Sequence, residues 1–110
     1  MKMIDIWLDD ERNPKDLNII RDFGSKGTEY WVKNINEAEL IILTNNINSI
    51  SFDNDLGEGQ EEGYILANWI EEKAFNKEIP KMNWKVHSRN PVAAKRIEQS
   101  MRNADRYWQK

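Results

Sequence analysis

Apolar residues alternate in short runs, then recur at helical spacing, and this change of period repeats along the chain. Met3–Leu8 is a brief apolar run broken only by Asp5, and it stops at Asp9-Asp10, which predicts a strand ending in a polar crevice. Residues 11–29 hold Pro14, Gly24 and Gly27 among scattered charges and read as a loop with one helical turn around Leu17–Arg21. The β-branched and aromatic stretch Glu29–Lys33 predicts a second strand. Asn36 with Glu39 makes an Asx-x-x-Glu helix start, and Ala38, Ile41 and Ile42 are spaced to pack inward through about Thr44. Ser49–Asp53 alternates again, with Ile50 and Phe52 apolar, and also ends on acids. Gly57, Gly59 and Gly63 mark a loop. Tyr64–Phe75 then reads as a helix with Leu66, Trp69, Ile70 and Ala74 inward, broken by Pro80. Trp84–His87 predicts a last strand. Asn90 suits an N-cap and Pro91 the first helical position, with Ala94, Ile97, Met101, Ala104 and Trp108 facing in.

Strands alternating with helices predict an α/β fold: a small three-layer, flavodoxin- or receiver-like parallel sheet of about four strands with flanking helices and right-handed crossovers. Ligands of such sheets sit beyond the carboxyl ends of the strands, near the switch point between the first and third. A chain of 110 residues supports one core, with roughly 6,400 Å² of folded surface by size scaling, so residues 1–110 are expected to form a single domain. The five tryptophans suit core positions, with Trp108 the one left open for a partner.

Composition narrows the chemistry. Without cysteine there are no disulfides, thiolate metal sites or cysteine nucleophiles. A single histidine, His87, excludes mechanisms that need two imidazoles. The N-terminus turns acidic too soon for a signal peptide, and no apolar run approaches the roughly 20 residues of a membrane span. The expectation is a soluble, cytoplasmic protein with no membrane partner. The net charge of −3 hides a split: residues 1–62 carry 14 acidic and 6 basic side chains, and residues 63–110 carry 5 acidic and 10 basic. A solvated helix face accounts for charge of that kind, yet a basic final third also suits a local polyanion contact.

Three predicted strand ends carry reactive side chains: Asp9 and Asp10 with Arg12 close behind, Asp53 and Asp55, and His87, Ser88 and Asn90. Any one pair is ordinary turn or cap chemistry, but packing gives no reason for all three to fall at carboxyl ends. Four crowded carboxylates call for a hard divalent cation, Mg²⁺ or Mn²⁺, or for one carboxylate held protonated as an acid. His87 precedes a helix N-terminus whose free N–H groups suit a phosphate, and Lys95, Arg102 and Arg106 extend positive charge along that helix. Gly57-x-Gly59 lacks the Lys-Ser/Thr of a phosphate-binding loop. No helix-turn-helix pattern or aromatic RNA-binding strand is visible, so sequence-specific DNA binding is not expected.

Leu8-Asp9-Asp10-Glu11-Arg12-Asn13-Pro14, Ile50-Ser51-Phe52-Asp53-Asn54-Asp55-Leu56-Gly57, Gly63-Tyr64 with Trp69, and His87-Ser88-Arg89-Asn90-Pro91-Val92 occur in that order. The set resembles the cyclic-phosphate-processing receiver-like domain family of bacteria and their phages, from Ile4 to about Met101. The resemblance implies a receiver-derived fold in which Asp9 and Asp10 bind a divalent metal and Asp53 stands at the phosphoryl-acceptor position. It implies processing of cyclic phosphates such as RNA 2′,3′-cyclic ends or cyclic nucleotides. Two positions depart from the family's pattern: Asn54 stands where histidine is frequent, and Arg89 where a small residue is common.

These readings combine into an expected metal-assisted phosphodiesterase acting on a nucleotide or an RNA-end phosphate. Asp9, Asp10, Asp53 and Asp55 would hold Mg²⁺ or Mn²⁺, and His87 would protonate the leaving ribose oxygen. Ser88, Arg89, Asn90 and the helix N-terminus would hold phosphoryl oxygens, with Arg12 also countering the transition-state charge. Two alternatives stay open: a non-enzymatic binder that sequesters nucleotides or RNA ends, and a phospho-acceptor receiver using Asp53.

Overall fold

Each change of hydrophobic period corresponds to an element in the computed structural model, which describes residues 2–109. The order is β1 (Ile4–Leu8), α1 (Leu17–Phe23), β2 (Tyr30–Val32), α2 (Ile35–Thr44), β3 (Ile47–Phe52), α3 (Gly63–Phe75), β4 (Asn83–Val86) and α4 (Pro91–Trp108). The four strands form one sheet in the order β2-β1-β3-β4, and every neighbouring pair is parallel. Chain order reverses between β1 and β3, which makes their carboxyl ends the switch point.

Register lines up the strand ends. Leu8 pairs with both Val32 and Phe52, and Phe52 pairs with Val86. One further ladder bond extends each strand: the Asp9, Asp53 and His87 amides donate to the carbonyls of Val32, Leu8 and Phe52. Asp9, Asp53 and His87 therefore sit side by side, one residue beyond the apolar row.

Alternate strand residues point to opposite faces. Ile6, Leu8, Val32, Ile50 and Phe52 join buried side chains of α2, α3 and α4 in a single apolar core. The other face carries Trp7, Ser51 and His87, and α1 closes on it through Phe23, whose ring meets the His87 ring edge-on. The result is three layers with unequal outer ones, three helices against one. Accessible surface totals 6522 Å², near the value expected for this length. Among the described residues, no helix is long and apolar enough to cross a membrane.

Several element boundaries differ from the sequence expectation. The cap of α2 is Asn34, whose side chain accepts the Glu37 amide, not Asn36. Asn34-x-x-Glu37 and Asn36-x-x-Glu39 are overlapping matches, and the earlier start also buries Ile35 in phase with Ala38 and Ile42. The short turn expected near Leu17 is a full helix to Phe23, ended by Gly24 at φ 79°. Gly63 opens α3 instead of belonging to the loop. On α4 the buried alanine is Ala93, with Ala94 half-buried beside it.

Candidate functional site

Asp9 is the buried centre of the strand-end row, with no accessible surface. Its Oδ1 accepts the amides of Glu11 and Arg12, each at 2.9 Å, an Asx turn that folds the chain back over the sheet. Its Oδ2 lies 3.0 Å from His87 Nε2 and 3.2 Å from Arg12 Nη1. A carboxylate has about four lone-pair sites, and all four are taken. Burial pushes the Asp9 pKa up, but the His87 bond and the two amide donors outweigh it, leaving the group below the ordinary carboxylate value.

His87 is buried as well. Its Nδ1 lies 2.8 Å from Ser51 Oγ, and its ring stacks on Trp7 at 3.8 Å between centroids, 5° from parallel. Burial lowers its pKa, so the ring is neutral near pH 7 despite the opposing pull of Asp9. The Asp9 carboxylate can only accept, which fixes the proton on Nε2 and leaves Nδ1 to accept from the Ser51 hydroxyl. Both nitrogens are thus engaged by the protein.

Asp53 meets different conditions. It is 4% exposed, its carboxylate takes the Asn54 amide at 2.8 Å, and Arg12 Nη1 stands 3.6 Å away. Burial, then the charge of Asp9, push its pKa up to about 6, while the Asn54 amide and Arg12 oppose the rise. Two carboxylates share one arginine: Asp9 stays ionised and Asp53 bears the cost of crowding.

In front of this row opens a cavity of about 220 Å³ lined by Asp10, Glu11, Arg12, Asp53, Asp55, Gly57 and Arg89. One wall comes from the loop after β1, one from the loop after β3, and Arg89 from the β4–α4 connection. Arg12 and Arg89 rest on the same aromatic ring, with guanidinium carbons 4.3 and 4.4 Å from the Phe23 centroid. Phe23 therefore positions both cations of the cavity.

Of the residues singled out in the sequence, Asp10, Arg12, Asp53, Asp55 and Arg89 line the cavity, and Asp9 and His87 lie behind it. Ser88 Oγ accepts the Asn90 amide at 3.1 Å, and Asn90 Oδ1 accepts the Ala93 amide at 3.1 Å. Those two side chains close the first turn of α4 on itself, and neither is among the cavity-lining residues. Asn54 is 1% exposed and faces away: its Oδ1 takes the Tyr64 amide and its Nδ2 reaches Glu62. It ties the loop after β3 to α3. Gly63 completes that joint, because its amide donates to the Asn54 carbonyl at 2.7 Å and a Cβ would run into the Asp53 carbonyl oxygen. Sequence reasoning missed Phe23, Glu11, Ser51 and Gly57. Glu11, Ser51 and Gly57 had a signal, their place within the acid motifs, and Phe23 had none.

One oxygen each from Asp9, Asp10 and Asp53 lies within 4.8 Å of the others, a donor set suited to a hard divalent cation. The fit has a condition. Arg12 must leave Asp9 Oδ2 before that oxygen can bind a metal.

A parallel α/β sheet with aspartates capping its first and third strands at the switch point defines a receiver-like domain. The chain belongs to the cyclic-phosphate processing receiver domain family, whose profile matches residues 4–103. No curated protein and no solved structure shows a significant similarity to it.

Proposed function

We propose that the chain hydrolyses a cyclic phosphate, an RNA 2′,3′-cyclic end or a cyclic nucleotide, to a phosphomonoester with the help of a divalent cation. The observation that carries this reading is the cavity at the switch point, where carboxylates face two arginines held on one ring. Arg12 and Arg89 pair with the non-bridging phosphoryl oxygens and offset charge as the ring bond to phosphorus breaks. Asp53 takes the proton from the attacking water, for which a carboxyl on the cavity wall is placed. Asp10 and Asp53, with Asp9 once Arg12 has moved, would hold Mg²⁺ or Mn²⁺, with Asp55 on the cavity wall outside that cluster, and the ion would supply Lewis-acid polarisation of the phosphate. His87 acts through Asp9: it holds that carboxylate and is a positioning residue, and the leaving oxygen takes its proton from solvent in the cavity.

The test is a panel of 2′,3′-cyclic and 3′,5′-cyclic nucleotides incubated with the purified chain in Mg²⁺ or Mn²⁺ and again with EDTA. A phosphomonoester product that disappears with EDTA and in Asp53→Ala supports the proposal. Substrates recovered intact in every condition reject it. A second reading, a binder without turnover, is favoured by one observation: the cavity lining holds no imidazole. Calorimetry separates the two, since a binder returns its ligand unchanged.

A further inference from the structure

Helices α3 and α4 run parallel and side by side, joined by four rungs. The Arg96 guanidinium lies on the Tyr64 ring at 3.6 Å, and Ser100 donates to Asn68 at 2.7 Å. Asn103 donates to Glu71 at 3.0 Å, and the Tyr107 and Phe75 rings meet edge-on at 5.1 Å. Each pair is 32 residues apart, so an α3 residue is level with the α4 residue 32 positions later. The rungs close the seam but leave its outer side uncovered. Phe75 is 64% exposed there. Outward charge is sorted by helix. Glu72 on α3, and Arg102 and Arg106 on α4, are exposed opposite the buried face of their helix. Among the described residues none of the three forms an ion pair; Glu98, one turn from Arg102, is half-buried. By the 32-residue offset, Glu72 is level with Ala104, midway between the two arginines, yet does not pair with them within the chain.

The geometry points to the outer face of α3 and α4 as the interface of a homodimer, with a second copy of this chain as its occupant. A two-fold axis parallel to the helices and above the seam lays α3 of each copy on α4 of the other, and it keeps every residue at its own level. Glu72 of one copy then faces the gap between Arg102 and Arg106 of the second. The same contact recurs on the other side of the axis, because a two-fold interface uses one patch twice. Phe75 and Tyr107 of both copies lie beside the axis and cover one another. An axis across the helices would instead set α3 on α3 and α4 on α4, acid against acid and arginine against arginine. The 13 residues of α3 make the face about 20 Å long, and two helices make it about 20 Å wide. It covers about 400 Å² per copy and about 800 Å² in all, the size of a weak, transient interface. Both helices start at the carboxyl edge of the sheet, so the two cavities open at the same end of the pair. The dimer does not depend on the phosphate reading of the cavity.

Sedimentation equilibrium of the purified chain from about 1 to about 300 µM tests the dimer, a range set by the small interface. The average mass should rise from 13.1 kDa at the dilute end towards twice that value at the concentrated end. Glu72→Arg places three cations at one level, and Arg102→Glu/Arg106→Glu places three acids there. Each variant alone should weaken association by about tenfold or more, with a thermal midpoint near that of the wild type showing that the fold persists. Mixing the two variants in equal amounts should restore association, since both contacts of the mixed pair again join acid to arginine. That rescue is what a merely structural role for these side chains would not produce. A chain that stays monomeric at about 300 µM overturns the proposal. So does self-association that either variant leaves unweakened, which places the contact on another face, and so does a mixture that stays monomeric.

Discussion

Two neighbouring aspartates of the same type behave differently because their donors differ. Asp9 accepts four hydrogen bonds, whereas Asp53 receives one amide and a share of Arg12. Replacing Asp9 by Asn puts an amide NH₂ against a pair of N–H donors whichever way the side chain is turned. With a buried partner left unmatched, the loss should be about 3 kcal/mol in chemical denaturation at pH 7. Asp53→Asn should do the reverse. The Asp53 pKa of about 6 lies above the unfolded value, so the folded state holds the proton more tightly between roughly pH 4 and 6. The stability this group contributes is complete below pH 4 and is lost as pH rises through 6. Without divalent ions, Asp53→Asn should match the wild type near pH 4 and exceed it by about 3 kcal/mol at pH 7.5. A difference that does not change with pH would refute this account of the crowding. His87 titrates in the opposite sense, its burial favouring the neutral form as pH rises, and the difference between the two proteins isolates Asp53 from it.

At the scale of elements, the joint between β3 and α3 decides where Asp53 points. Gly63→Ala meets the Asp53 carbonyl oxygen, so the start of α3 must shift, and we expect a loss of about 2 kcal/mol or more with a perturbed cavity. Phe23→Leu leaves α1 helical but removes the ring under both arginines. The expected result is weaker phosphate binding, with a change of about 1 kcal/mol or less in stability, read by calorimetry and thermal melting on the same sample. Most of this architecture could be read in the sequence, because the strands switch period cleanly and end on acids. The Asp9-Asp10, Asp53-Asp55 and His87 motifs were visible because each follows an apolar run. What stayed hidden was orientation. Nothing in His87-Ser88-Arg89-Asn90 says that His87 turns back onto Trp7 and Asp9 while Arg89 turns outward. Nothing around Phe23 announces that a ring at the end of α1 collects cations from two distant loops. Asn34 and Asn36 matched the same capping rule, and only the burial of Ile35 chose between them.

For the whole molecule, the acidic loops after β1 and β3 and one cation of the basic last third, Arg89, meet at the carboxyl edge of the sheet, where the cavity opens between them. The same meeting point makes Arg12 the resident counter-ion of the acid cluster. Arg12 lets the two carboxylates sit together without an ion, so the chain should stay folded in EDTA, with a thermal midpoint below that of the Mn²⁺-saturated protein. Arg12→Ala should bind Mn²⁺ more tightly than the wild type, followed by tryptophan fluorescence through Trp7, whose indole donates to the Arg12 carbonyl. Equal affinity in the two proteins would show that Arg12 does not compete. Because a side chain already fills the position, metal loading would be an exchange of one cation for another. On the proposed reading, a metal at Asp9 would free a tethered arginine for the incoming phosphate, so that the loss of one contact would supply the next.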